Sequence, residues 1–324
     1  MTRRDFITLL GGATVWPFAA RAQQGMPLIG YLHPVSRGPN AHLAAIIVQE
    51  LAQAGYVEGR NLSIEYRFAE GRYDLLPQMA AELAGHSPAL IVAANTPAAI
   101  AAKKATATVP ILFSMADDPV ELEIVASIAH PGGNATGVHY FNSLLVTKLF
   151  GLLRELFPQA VKFGLLVNPT NSNAKAVEAE VMNVTNATNM TIKVVFAADI
   201  REIEAGFTAM VNERIEALLV APDPLFYGRR LQLTTLASRY ALPTIYNNRD
   251  YVEAGGLMSY GTSLKEVYRQ LGVYAARILK GEKPADLPVV QTTGFEFLIN
   301  LPTARALGLV LPPMLLARAD EVIE

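Results

Sequence analysis

The sequence predicts an α/β protein of two consecutive lobes, each a parallel sheet flanked by helices. Three observations carry this expectation. Short β-branched apolar runs alternate with longer stretches of helical periodicity, as crossover connections between parallel strands require. The alternation restarts after "PGGNATG" (residues 131–137). Once the N-terminal leader described below is set aside, about 300 residues remain, more than one hydrophobic core usually organises.

The first strand lies in "PLIGYLHP" (Pro27–Pro34). A helix follows in which Leu43, Ile47, Leu51 and Ala54 share a face and Gly55 supplies the stop. "LSIEYRFA", "ALIVAA" and "PILFSM" read as the next strands; "LLPQMAAELAG", "TPAAIAAKKA" and "PVELEIVASIA" read as the helices after them. In the second half a helix around "LFGLLRELF" leads to the strand "KFGLLVNP", a helix from Asn173, and the strand "TIKVVFA". A helix from Arg201 through Val211, the strand "ALLVAP", a helix over "RRLQLTTLASRY" and the strands "PTIYNN" and "LMSYG" complete the pattern. No exact repeat links the halves, so a duplication would be architectural. No Pro, Gly and Ser-rich tether separates them, which predicts short ordered crossings.

"MTRRDFITLLGGATVWPFAARAQQ" precedes the first strand. Arg3 and Arg4 stand before an apolar stretch, Phe6–Ala20, interrupted by Gly11, Gly12 and Pro17. It is shorter than the about 20 apolar residues a membrane-spanning helix needs. With the A-x-A pattern of Ala20-Arg21-Ala22, residues 1–22 have the form of a signal peptide, and the mature chain would start at Gln23. The alternative is a partly buried N-terminal helix. Thr2-Arg3-Arg4-Asp5-Phe6-Ile7 resembles the twin-arginine signal, whose machinery exports folded proteins. The chain has no cysteine, hence no disulfide and no thiol for a lipid at the leader's end. We expect a soluble, monomeric protein of the bacterial periplasm with no direct membrane anchor.

Composition narrows the function classes. Hydrophobic residues make up 51% and charged residues 17%, which excludes a disordered chain. The formal charge is -2, and removing Arg3, Arg4, Arg21 and Asp5 leaves about -4. Without a basic excess to neutralise phosphates, nucleic acid is not expected as a partner.

In open parallel sheets ligands sit beyond the carboxyl ends of the strands. Those ends are "HPVS" (His33–Ser36), "NTP" (Asn95–Pro97) and "ADDP" (Ala116–Pro119) in the first half. In the second they are "NPTNSN" (Asn168–Asn173), "PDPLFYG" (Pro222–Gly228) and "YNNRD" (Tyr246–Asp250). Small polar groups, carboxylates and aromatics at such positions suit a concave site with a few orienting groups. Each also has a plainer role, since Asn, Asp, Ser and Thr cap helices and form turns. Asp118-Pro119 and Asp223-Pro224 look like caps with proline at the first helical position. Capping and binding are compatible, because helix N-termini present free N–H groups to anions. Phe226, Tyr227, Tyr246 and Tyr140 serve either as packing or as pocket walls.

Catalytic patterns are missing. The five histidines, His33, His42, His86, His130 and His139, show no metal-ligand spacing, so no metal site is expected. There is no G-x-S-x-G elbow and no P-loop. "GGNATG" lacks the G-x-G-x-x-G spacing and reads as a tight turn. Asp117 and Asp118 are adjacent, which is a weak basis for a carboxylate pair. Nothing calls for a cofactor.

Several segments in order, "GYVEGRNLSIEYRFAEGRYDLLPQMAAEL", "NTPAAIAAKKATATVPILFSMADDPV", "PGGNATG", "FGLLVNPTN", "EAGGLMSYG", "ILKGEKPADLPV" and "FLINLPTARALGLVLPP", resemble the tryptophan/tyrosine-type substrate-binding proteins of ABC transporters. One departure is Glu123-Ile124, where relatives often carry Gly-Leu. The resemblance implies the type I periplasmic binding-protein fold, with two Rossmann-like lobes, a hinge of three crossings and a small-molecule ligand between them. The crossings are expected near Tyr140–Ser143, Gly261–Ser263 and Leu287–Thr293. The lobes would comprise residues 23–140 with about 263–288, and 141–262 with about 292–324. An ABC permease of the inner membrane would receive the ligand from the closed lobes. Cleft residues are then expected to be Ser36, Asn95, Thr96 and Asp118 from the first lobe, with Asn168, Asp223, Phe226 and Asn247 from the second. For an amino acid, Ser36, Thr96 and nearby helix N–H groups would hold the carboxylate and Asp223 the ammonium. Phe226 or Tyr246 would stack on the side chain. The same fold also serves ligand sensing for a membrane receptor, and a flavodoxin-like scaffold also hosts periplasmic enzymes.

Overall fold

The computed structural model describes residues 25–140, 145–186, 190–292 and 294–324; the expected signal peptide lies outside them. The first half forms β1 (Leu28–His33), α1 (Arg37–Gln53), β2 (Ser63–Phe68), α2 (Leu76–Gly85), β3 (Leu90–Ala94), α3 (Thr96–Ala105), β4 (Ile111–Met115) and β5 (Ala135–Tyr140). Then come α4 (Leu145–Leu156), β6 (Lys162–Val167), α5 (Ala174–Asn186), β7 (Thr191–Phe196), α6 (Ile200–Asn212), β8 (Ala217–Val220), α7 (Pro224–Gly228), α8 (Arg230–Arg239), β9 (Thr244–Tyr246), α9 (Arg249–Glu253) and β10 (Met258–Thr262). The chain ends with α10 (Leu264–Leu279), β11 (Val290–Thr292), β12 (Phe295–Asn300), α11 (Leu301–Ala306), α12 (Pro313–Leu316) and β13 (Glu321–Ile323).

The strands sort into two sheets. One is parallel throughout, in the order β2-β1-β3-β4-β5-β11. The other runs β7-β6-β8-β9-β10-β12-β13, parallel except where β12 lies antiparallel to β10. In each, the first five strands follow the doubly wound order, which reverses beside the lobe's first strand. The chain passes between sheets after β5, between β10 and α10, and between β11 and β12. The passages expected at Tyr140–Ser143 and Leu287–Thr293 fall partly on residues outside the described ones. β11 joins the first sheet beyond the boundary at about 288 expected from the sequence.

Each sheet is apolar on both faces because helices cover both, so its central strands are continuous hydrophobic runs such as Leu90–Ala94 and Ala217–Val220. On one face of the first sheet, Leu43, Ile47 and Leu51 of α1 pack with Val267, Leu271 and Ala275 of α10. The α2 and α3 side is filled by Leu76, Leu83, Ala98 and Ala102. In the second lobe α4 supplies Leu149, Leu152, Leu153 and Leu156 to one core, and Phe207, Leu233, Tyr246 and Tyr251 fill the other.

The helix expected over "PVELEIVASIA" does not form. Asp118 caps a turn through the N–H groups of Val120 and Glu121. Glu123 then enters the left-handed region at φ 56°, which stops helix propagation. Ile124 and Val125 are buried all the same, in the first-lobe core, so apolar spacing there reports burial in a loop.

Candidate functional site

The ends of β1 and β3, and those of β6 and β8, are where the strand order of each sheet reverses, and residues following them face each other across a cleft. The first wall holds Asn40, Asn95, Thr96, Asp117, Tyr140 and Tyr268; the second holds Asn171, Asn173, Asp223, Tyr227, Asn247 and Thr262. The cleft has a cavity volume of about 60 Å³. Its walls are therefore close together.

Asn95 follows β3 with φ 73° and ψ 158°, a conformation that favours glycine, and its carbonyl accepts the Ala99 N–H to start α3. Its own N–H donates to Ser114 Oγ (3.2 Å), and its side-chain amide lies 3.1 Å from the Tyr140 hydroxyl and 3.4 Å from His33 Nε2. Thr96 Oγ1 accepts the Ala116 N–H over 3.3 Å, leaving its proton free to donate. Burial raises the Tyr140 hydroxyl well above its ordinary pKa, and that of Tyr268 to about 12, so both are neutral donors or acceptors.

Asp223 organises the opposite wall. Its carboxylate accepts from Asn168 Nδ2 (3.1 Å), Asn171 Nδ2 (2.6 Å), the Leu225 N–H (2.8 Å) and the Tyr73 hydroxyl (3.3 Å). Burial pushes its pKa up, and the amide donors offset part of that rise. Two buried polar atoms of the walls have no hydrogen-bond partner in the protein, Asn40 Oδ1 and Thr262 Oγ1. Such atoms are costly unless something else satisfies them.

The lobes touch around the cleft. Asn173 Nδ2 donates to Asp117 (3.0 Å), and the Tyr73 hydroxyl meets both Asp223 and the Leu225 N–H. At another edge His42 Nε2 lies 3.1 Å from Asp250 Oδ2, which also accepts from the Tyr227 hydroxyl. Arg230 lies 4.9 Å over the Tyr227 ring and donates to the Pro39 carbonyl (3.0 Å). Burial raises the Asp250 pKa, but the bonds from His42 and Tyr227 outweigh it and hold the carboxyl below its ordinary value. Among the described residues no group of three His, Cys, Asp or Glu is placed to hold a metal ion, and no helix is long and apolar enough to cross a membrane.

A family model described as "ABC transporter substrate binding protein" matches residues 34–323. The chain belongs to this family. It is 27% identical over 262 residues to a tyrosine-binding protein of Clostridioides difficile (strain R20291), covering 81% of this chain and 75% of that one. An ABC domain from Streptococcus pneumonia, solved in complex with L-Trp, superposes with a TM-score of 0.79 at 27% identity, over 91% of this chain and 100% of that one. A ligand-free, open substrate-binding protein with adhesive properties from Clostridium difficile gives a TM-score of 0.63 at 25% identity, over 92% and 99% of the two chains.

In this substrate-binding protein four of the nine residues expected at the cleft line it: Asn95, Thr96, Asp223 and Asn247. Asn168 stands one layer behind, holding Asp223 and accepting from Thr170. The Ser36 hydroxyl instead donates to Glu70. Asp118 is an exposed turn cap, while its neighbour Asp117 lines the cleft. Phe226 and Tyr246 are wholly buried in the second-lobe core, Tyr246 stacked on Tyr251 at 4.4 Å. The aromatic residues lining the cleft are Tyr140 and Tyr268 on the first wall and Tyr227 on the second. Asn40, in the first turn of α1, carried no signal beyond lying near a strand end.

Proposed function

We propose that this substrate-binding protein captures an aromatic amino acid, L-tryptophan or L-tyrosine, in the periplasm and delivers it to an ABC permease. The observation that carries the reading is the cleft itself, lined by three tyrosines, Tyr140 and Tyr268 on one wall and Tyr227 on the other, together with the polar Asn95, Thr96 and Asp117. The name of the C. difficile relative and the L-Trp complex support the same class of ligand. The TM-score is higher against the L-Trp complex than against the ligand-free, open relative, which supports a closed arrangement of lobes.

In this reading the Thr96 hydroxyl and the N–H groups at the start of α3 receive the carboxylate. Asp117 and the unpaired Asn40 Oδ1 receive the ammonium. Asp223 already accepts four donors and acts by holding the second wall in shape. The lobes are residues 23–140 with about 263–292, and 141–262 with about 294–324. Binding across both walls favours closure, and the permease reads the closed, monomeric form. The twin-arginine leader places it in the periplasm and is removed before Gln23, and no cofactor takes part.

Calorimetry and thermal unfolding with L-tryptophan, L-tyrosine, L-leucine and L-glutamate test this. We expect saturable binding of the aromatic pair, with about 2.7 kcal/mol of stabilisation at a hundredfold excess over Kd. Asp117→Asn should weaken binding about tenfold with little loss of stability, whereas Asp223→Asn should mainly destabilise the fold. No binding of either aromatic amino acid by the folded protein at millimolar concentration refutes the reading.

A further inference from the structure

Two donors compete for one histidine behind the cleft wall. His33 ends β1 and is 1% exposed, flanked by the rings of Tyr31 and Phe68. Burial lowers its pKa to about 4, so at neutral pH the imidazole carries one N–H and one bare nitrogen. The Val35 backbone N–H donates to Nδ1 over 3.2 Å. A backbone N–H cannot be turned around, so Nδ1 is the bare nitrogen and Nε2 bears the proton.

The next group along is the Asn95 side-chain amide, 3.4 Å from Nε2. With its NH2 toward His33 and its oxygen toward Tyr140, two donors would stand face to face. A half-turn of the amide exchanges oxygen and nitrogen at almost no steric cost and resolves the conflict. Oδ1 then accepts from His33 Nε2–H, and Nδ2 donates to the Tyr140 hydroxyl 3.1 Å away. Having become an acceptor from Asn95, Tyr140 directs its own proton elsewhere, and Tyr140 is among the residues lining the cleft.

We propose that His33 and Asn95 form a relay of hydrogen-bond polarity that fixes Tyr140 as a donor into the cleft, where it contacts an acceptor oxygen of the ligand. On the reading given above that oxygen belongs to an amino-acid carboxylate; only its identity rests on that reading. Tyr140 is thus a specificity-determining contact, and His33 and Asn95 are positioning residues. The relay also gives the strained backbone at Asn95 a use, since it keeps the amide between a buried imidazole and a cleft hydroxyl.

Two measurements on the full chain test it. Long-range 1H–15N spectra of the ligand-free protein, with the His33 signal assigned by its loss in His33→Gln, should show the Nε2–H tautomer at pH 7; the Nδ1–H tautomer overturns the relay. Tyr140→Phe, checked for native unfolding behaviour, should weaken L-tryptophan or L-tyrosine about tenfold or more, as loss of a hydrogen bond to a charged group does. A loss below twofold overturns the contact. If neither amino acid binds the wild-type protein, the amino-acid reading fails on its own, and the tautomer still decides the relay.

Discussion

Buried His33 gives the protein a definite pH dependence of stability. In the unfolded chain its imidazole titrates near 6.5; in the folded protein burial among Tyr31, Phe68 and Asn95 lowers that to about 4. Between the two values the unfolded state binds the proton and the folded state does not, so stability rises with pH across this window and is lost as pH falls through it. The gap between 6.5 and about 4, at about 1.36 kcal/mol per pH unit, comes to about 3 kcal/mol. Of this, about 2 kcal/mol is already gone at pH 5. Urea unfolding from pH 7 to pH 4 on the wild-type protein and on His33→Gln isolates the effect, because carboxylate contributions are common to both. The stability difference between them should shift by about 3 kcal/mol against the wild type as pH falls. A difference constant over that range would refute the reasoning, showing that the imidazole reaches solvent or finds an anionic partner when protonated.

Gly261 sits in β10 so close to the neighbouring chain that a Cβ would lie 1.7 Å from the Asn247 carbonyl oxygen. Gly261→Ala must push Asn247 and the cleft wall aside, and should cost about 3 kcal/mol or more in thermal unfolding and weaken ligand binding as well. At Asn95, glycine relieves a left-handed backbone conformation that alanine keeps, and both lose the amide. Asn95→Gly should therefore be more stable than Asn95→Ala by about 1–3 kcal/mol, the reverse of the usual order of these two residues, as chemical denaturation will show.

The fold was legible because parallel strands covered on both faces must be continuous apolar runs, and "ALIVAA", "PILFSM" and "ALLVAP" can be little else. The ends of those strands were legible too, so the cleft was located to within a residue or two. Which residue of each end faces the cavity was not. Asp118 caps a turn while Asp117 lines the cleft, and Phe226 is core while Tyr227 is wall. Successive side chains turn by about 100° on a helix and about 180° on a strand, so a one-residue error exchanges wall for core. Polar and aromatic residues at these ends satisfy both roles chemically, and only the backbone direction separates them. The false helix after Pro119 has a related cause, since apolar spacing carries no trace of the positive φ at Glu123 that breaks it.

On the proposed function, closure around a ligand would draw on what the touching lobes leave unsatisfied. The bridges between them are few and partly wet; the His42 side chain in the pair with Asp250 is 49% exposed, and such pairs contribute about 0–1 kcal/mol. The bonds from Asn173 to Asp117 and from Tyr73 to Asp223 add about 0.5–1.5 kcal/mol each, because water replaces them when the cleft opens. Against this stand Asn40 Oδ1 on the first wall and Thr262 Oγ1 on the second, buried with no partner in the protein, at about 1–3 kcal/mol apiece. A ligand that hydrogen-bonds both atoms removes the opposing cost while leaving the bridges in place. On the proposed function, the unsatisfied atoms would tie closure to occupancy, and a permease that docks on closed lobes would engage the protein chiefly when it carries cargo.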